Sequence, residues 1–315
     1  MGEREDQSGE PVPELVTPPP ERSIAERYGI SPVVLGILSL IVVFVAYQII
    51  GGVISLIIFG MKPTDANVSG FRIATGVGQI LFILLPTLIL ARIATTTPRQ
   101  FLRIRVPGIG ALLLPLVGIF SLQQMLQVYM TFQDRIPMPE EIQKISQEFK
   151  DLFEEAYKLL ASSNSIPELL LVILVIALIP ALAEELLFRG MVQRCFEKGF
   201  GTMRGVVITG IIFGAYHLNP FSFVPLAILG IYLGFLALRA DSIWVSAAAH
   251  FYNNALACIA TYLRIDDDSL IVGNAGSMSL GMLLATFWFF GVVFLVSTFY
   301  FMRITQSLHV AEESA

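Results

Sequence analysis

Residues 166–191 read IPELLLVILVIALIPALAEELLFRGM. Apart from Glu168, nothing ionisable interrupts this stretch until Glu184, Glu185 and Arg189. An α-helix needs ~20 mostly apolar residues to cross the hydrocarbon core of a bilayer, and this run is long enough. The charges at its far end therefore need a reason, because each costs roughly 2.5 to 3.5 kcal/mol at the centre of a membrane helix. The rest of the chain is equally apolar. Of 315 residues, 55% are hydrophobic and 14% charged, against about 45 to 50% and about 25% in ordinary soluble domains. That balance excludes a soluble enzyme with a large core. The expected fold class is all-α, a polytopic membrane helix bundle of about eight transmembrane helices.

The expected spans are residues 32–60, Ile73 to Leu90, Ile109 to Tyr129, Ile166 to Met191, Gly205 to His217, Val224 to Leu238, Ile243 to Tyr262 and Leu280 to Met302. The fifth and sixth fall short of ~20 residues, and Asn219-Pro220 breaks the chain between them. Such a break at membrane depth is tolerated only where protein or a water-filled cavity surrounds it. Residues 1–30 read as a disordered Pro/Glu-rich tail without the basic cluster and short apolar run of a cleavable signal peptide. Residues 31–130 carry three N-terminal spans. In 131–165, Ile142, Ile145, Phe149, Leu152, Phe153 and Leu160 recur at three- and four-residue intervals, which predicts an amphipathic extramembrane helix starting near Pro139. It would lie on the membrane surface, pack against the bundle or cover a cavity mouth. Residues 263–303 hold an outer loop, with Asp266, Asp267 and Asp268 as a hydrated stretch, and the last span; 304–315, including His309, form a tail. Cys195 and Cys258 have no paired spacing and read as small buried apolar residues. Loops on the side of the N-terminus, with Arg92, Arg99, Arg103, Arg105, Lys198 and Arg204, hold the excess of Lys and Arg. That bias predicts cytoplasmic N- and C-termini in an integral protein of the cell (plasma) membrane.

Cost then selects the candidate site. Glu185 and Arg189 are four apart with the acid on the N-terminal side, the favourable order for an intrahelical pair. Glu184 is turned by about 100 degrees from Glu185 and needs a partner elsewhere. FGAYH puts His217 four residues after Phe213, and HFYNN puts Asn254 one turn after His250 on the same face. The helices before and after Lys198 to Thr202 form a hairpin. Glu184 and His217 are similar distances from its turn, which levels them on antiparallel helices. A carboxylate facing an imidazole can hold a water and take its proton. A second imidazole with a carboxamide can donate to an oxyanion. Glu184, His217 and His250 are also a zinc ligand set with room for water, although no HExxH is present.

EELLFR (Glu184 to Arg189), FGAYH (Phe213 to His217) and HFYNN (His250 to Asn254) resemble the EExxxR, FxxxH and HxxxN motifs of the CAAX-protease and bacteriocin-processing family of intramembrane proteases. That family includes type II CAAX prenyl endopeptidases and abortive-infection proteins, and the resemblance covers residues 166 to about 262. It implies an intramembrane endopeptidase in which Glu184 with His217 activates water and His250 with Asn254 supports the oxyanion. Glu185, Arg189 and Phe213 would be supporting residues. The family has been described both as zinc metalloproteases and as metal-independent glutamate proteases, so it leaves the cofactor open between none and Zn. Implied partners are a membrane-embedded or lipid-anchored protein or peptide substrate and the lipid bilayer, with no nucleic acid. Two other readings stand beside it. One is a non-catalytic membrane immunity or scaffold protein in which Glu185 and Arg189 only pair helices. The other is a proton-coupled transporter, which would ordinarily show paired halves that are absent from this sequence.

Overall fold

The computed structural model describes residues 22–60, 64, 66–137, 139–265 and 278–313, so the stretches 1–21 and Asp266 to Asp268 lie outside the described residues. Nearly everything described is helical, and no strand occurs among the described residues. The chain is an all-α helix bundle. We label its helices α1 (Pro32–Phe59), α2 (Val68–Ala94), α3 (Gly110–Asp134), α4 (Glu140–Ala161), α5 (Ile166–Phe200), α6 (Thr202–Tyr216), α7 (Phe223–Ala240), α8 (Ile243–Tyr262) and α9 (Leu280–Glu313).

By length and composition, α1, α2, α3, α5, α7 and α9 can each cross a bilayer. Six spans therefore meet the criterion among the described residues, rather than the eight expected. The other two expected spans exist as helices but differ in character. Helix α6 has 15 residues, and α8, though 20 residues long, carries Ser246, His250, Asn253 and Asn254 among its apolar positions. Both are held by neighbours: α6 packs along α7 and the end of α5, and α8 packs on α3, α5 and α7. Burial is graded accordingly. Half of the apolar window of α3 and of α7 is buried, against 22% for α1 and α2 and 17% for α9. The outer helices point side chains such as Ile57, Trp288 and Leu295 away from the protein, as expected where the surrounding solvent is hydrocarbon.

Three boundaries differ from expectation. Ser23 caps a short helix, Ile24–Arg27, within the stretch expected to be tail; its hydroxyl accepts from the Glu26 amide while the Glu26 carboxylate accepts from the Ser23 amide. That reciprocal pair satisfies two amide donors at a helix start, and it holds the Glu26 carboxyl below its usual range. Helix α2 starts at Val68, so Arg72, one residue before the span expected from Ile73, lies inside it. The final helix continues to Glu313, past residue 303 and through the stretch around His309.

Turn chemistry sets the hairpin that carries the site. Gly201 (φ +91) joins α5 to α6, a backbone conformation that costs glycine little. The α6–α7 seam is closer still: a Cβ on Gly210 would stand 2.5 Å from the Ile231 amide nitrogen. At the same end, Arg103 donates two hydrogen bonds to the Glu197 carboxylate (3.1 and 2.9 Å) and one to Asp241 (3.1 Å), tying the loop after α2 to the ends of α5 and α7.

Candidate active site

Helix α5 is continuous but not uniform. Its hydrogen bonding widens to π-type turns over Ile173–Leu178 and Leu186–Val192, on either side of the short α-segment Ile179–Glu185 that holds Pro180 and both carboxylates. Proline has no amide hydrogen for the carbonyl four residues before it. That carbonyl belongs to Ile176, and it accepts from Asn254 Nδ2 of α8 at 3.3 Å. The proline thus opens an acceptor in an apolar span, and a carboxamide from another helix fills it. Ile176, Pro180 and Glu184 fall on one face and all line a cavity of about 530 Å³.

The same cavity is lined by His217 from the end of α6, by His250, Asn253 and Asn254 from α8, and by Phe213. The sequence reading placed Glu184, His217, His250 and Asn254 in one chamber, and the structure brings all four to one wall set. No hydrogen bond links Glu184 to His217. Instead, Glu184 Oε2 is buried with no hydrogen-bond partner among the described residues. His217 Nδ1 lies 2.7 Å from the Phe213 carbonyl. A carbonyl only accepts, so Nδ1 carries the proton and Nε2 of the neutral ring is the bare acceptor. Phe213 also stands edge-on to both imidazoles, with ring centroids 4.7 Å from His217 and 6.0 Å from His250.

Glu185 faces the other way, as its rotation from Glu184 requires. Its Oε1 accepts from Arg189 Nη1 at 2.7 Å and from His250 Nδ1 at 3.0 Å. Arg189 Nη2 donates to the Gly230 carbonyl (3.1 Å), and one turn on Gln193 Nε2 donates to the Gly234 carbonyl (3.1 Å). Glu185 and Arg189 are both fully buried. They join α5, α7 and α8, and they fix the ring of His250. The Glu185 carboxylate is thus shared between a guanidinium and an imidazole.

Four cavity or anchoring groups escaped the sequence reading. Gln79 of α2 lines the cavity from outside the three motifs, and Asn219 and Asn253 line it as well. Arg72 is completely buried and pairs with Glu168 (2.7 Å) while donating to the carbonyls of Leu159, Leu160 and Ser162. These carbonyls form the C-terminal end of α4, where unpaired acceptors and the helix dipole favour a cation. The available signal was a polar residue inside an apolar stretch, which both Arg72 and Gln79 are. Helix α4 in turn supplies Phe153, Glu154, Tyr157 and Lys158 to the cavity wall.

Among the described residues, no three His, Cys, Asp or Glu side chains stand close enough together to form a metal-binding group. Glu184, His217 and His250, the zinc alternative offered by the sequence, do not form such a group in this arrangement.

Residues 166–256 match the family model described as type II CAAX prenyl endopeptidase, Rce1-like. Over this segment the chain is similar to the type II CAAX prenyl endopeptidases. The match contains Glu184, Glu185, Arg189, Phe213, His217, His250 and Asn254 and stops short of α1 to α4 and α9. No curated protein and no solved structure matches the chain. The matched model describes a protease family, which supports peptidase activity, and the apolar helices are those of an integral membrane protein.

Proposed function

We propose that the protein is an intramembrane endopeptidase hydrolysing peptide bonds of membrane-embedded or lipid-anchored substrates, with Glu184 as general base. One observation carries the reading: Glu184, a carboxylate within an apolar span, lines a cavity that also holds two imidazoles and four carboxamides. A carboxylate and an imidazole on the walls of one cavity can hold a water between them, and water is the nucleophile a hydrolase needs. The water gives one hydrogen to Glu184 and the other to His217 Nε2, which leaves an oxygen lone pair for the scissile carbonyl. Glu184 removes the proton as the C–O bond forms, and returns it to the leaving nitrogen as the C–N bond breaks.

The oxyanion is assigned to His250 and Asn254. With its Nδ1 proton committed to Glu185, His250 donates from Nε2 when the ring carries both protons. Asn254 keeps a second amide hydrogen beyond the one given to Ile176. Phe213, Leu226 and Leu229 make an apolar part of the cavity wall, and Phe153, Glu154, Tyr157 and Lys158 of α4 make another part. Phe153 borders both this cavity and an apolar groove of about 470 Å³ between Ile142, Ile145 and Phe149 of α4 and Leu218, Pro220 and Phe221. That continuity supports delivery of a substrate whose flanking part is apolar. The excess of Lys and Arg near the α5–α6 turn supports the plasma-membrane orientation with both termini in the cytoplasm.

The test is cleavage of a quenched peptide panel, with and without a lipid chain, by protein in nanodiscs. Loss of cleavage in both Glu184→Gln and His217→Ala supports the protease; wild-type cleavage by either variant overturns the assignment. A chelator added to the same assay is expected to leave the rate unchanged.

A further inference from the structure

The matched family segment is confined to α5, α6, α7 and α8, yet α2 also reaches the cavity, through Gln79. It sits in a span of apolar residues, is 7% exposed, and its Oε1 is buried with no hydrogen-bond partner among the described residues. Glu184 Oε2, on the same cavity, is the other orphaned acceptor. A buried acceptor left without a hydrogen bond is costly at either place.

The backbone explains why they share this wall. Helix α2 packs against the Ile179–Glu185 segment of α5. Gly76, one turn before Gln79, makes that approach close: a Cβ there would stand 3.2 Å from both Ile179 Cδ1 and Val175 Cγ2. Directly after Gln79 the helix widens into a π-type turn, Ile80–Leu84. Such local widenings re-aim side chains and cluster at functional sites. Tyr47 of α1 packs beside Gln79, since a Cβ on the neighbouring Gly78 would lie 3.7 Å from its ring, and it is within electrostatic range of Gln79 and Glu184.

We infer that Gln79 positions the Glu184 carboxylate for attack by water: its carboxamide donates Nε2–H to Glu184 Oε2 while its Oε1 accepts from the Tyr47 hydroxyl. A half-turn of the carboxamide exchanges its two nearly isosteric ends and satisfies all three groups at once. Carboxylate orientation is then set from outside the motif-bearing helices. Oε2 is held by Gln79, and the other oxygen is left to the water. The inference rests on the reading of Glu184 as general base.

The experiment compares wild type, Gln79→Leu, Glu184→Gln and the double variant in nanodiscs on the same peptide panel, with melting temperature measured for each. Gln79→Leu keeps the size and removes the donor. It is expected to lower kcat roughly 10- to 100-fold with KM within about twofold, the signature of a misplaced reacting group. The double variant is expected to be no slower than Glu184→Gln alone, because one residue acts through the other. Wild-type kcat in Gln79→Leu, a loss carried wholly by KM, or a lowered melting temperature with unchanged activity per folded molecule overturns the inference. If Glu184→Gln cleaves like wild type, the general-base reading itself falls; if it is inactive while Gln79→Leu is intact, only the role of Gln79 falls. A second readout needs no substrate. The infrared carboxylate band that disappears in Glu184→Gln is expected to shift in Gln79→Leu, and an unmoved band overturns the inference even if the panel holds no cleavable peptide.

Discussion

Glu184 and Glu185 are neighbours with opposite surroundings, and single substitutions separate them. Glu184→Gln keeps the shape and removes the base. It is expected to reduce kcat by at least about 100-fold with an unchanged thermal unfolding midpoint; a lowered midpoint would move Glu184 from chemistry to structure. Arg189 holds Glu185 from a fully buried position, and Glu185 also anchors His250. Breaking a buried pair by removing one partner costs about 3 to 5 kcal/mol, since it strands the remaining charge. Arg189→Leu is therefore expected to lower the unfolding midpoint or prevent accumulation of folded protein, as judged by size-exclusion profile and thermal unfolding in detergent. Replacing Arg189 and Glu185 together by Leu should cost less than Arg189→Leu alone, because no charge is then stranded.

At the scale of elements, the seams between helices are set by small residues and the lid-like helix by one arginine. At Gly210 a side chain would run into the backbone of α7 rather than into a flexible tip, with Ile231 N and Cα at 2.5 and 2.8 Å. Gly210→Val is expected to separate α6 from α7 and displace His217, seen as lost activity with a fall in melting temperature. Helix α4 is different, because its buried attachment is concentrated at its C-terminal end. There Arg72 takes three carbonyls and Glu168. Nearer its start, Lys150 pairs with Asp134 and lies over the Phe221 ring. Arg72→Met should raise hydrogen exchange in Leu159 to Ser162 well above wild type while leaving exchange in α7 unchanged. Equal protection in both proteins would show that the clamp does not hold α4. The three motifs made α5, α6 and α8 legible in advance, through apolar runs and four-residue spacings. The clamp was not legible, because its acceptors are backbone carbonyls, which carry no sequence signal.

For the whole molecule, the proposed orientation sets the α5–α6 turn and α4 on opposite sides of the bilayer. Lys198 and Lys144 are exposed at these two places, and the native Cys195 and Cys258 are buried. A membrane-impermeant maleimide is expected to label Lys144→Cys in intact cells and Lys198→Cys only after permeabilisation; the reverse pattern would invert the topology. The number of crossings was less legible than the class of fold. A window of hydropathy sees α6 and α8 as weak spans, since their burial is against other helices and tolerates short length and polar side chains. Helices α1, α2 and α9 give the clearer signal because they face lipid.

Composition and apolar run length alone determined that this chain lives among lipids as helices, because an unsatisfied backbone amide in hydrocarbon leaves few alternatives to a helix. Spacing alone also singled out Glu184, His217, His250 and Asn254, since ionisable and amide groups are too costly in such helices to be incidental. Only the tertiary structure decided what each group faces. It separated the orphaned oxygen of Glu184 from the shared carboxylate of Glu185, set His217 against a carbonyl, and brought Gln79 and α4 to the same chamber. Those outcomes depend on helix rotation, π-type widening and the close approach permitted by Gly76 and Gly210. They arise from contacts between residues distant in the chain, so local spacing cannot specify them.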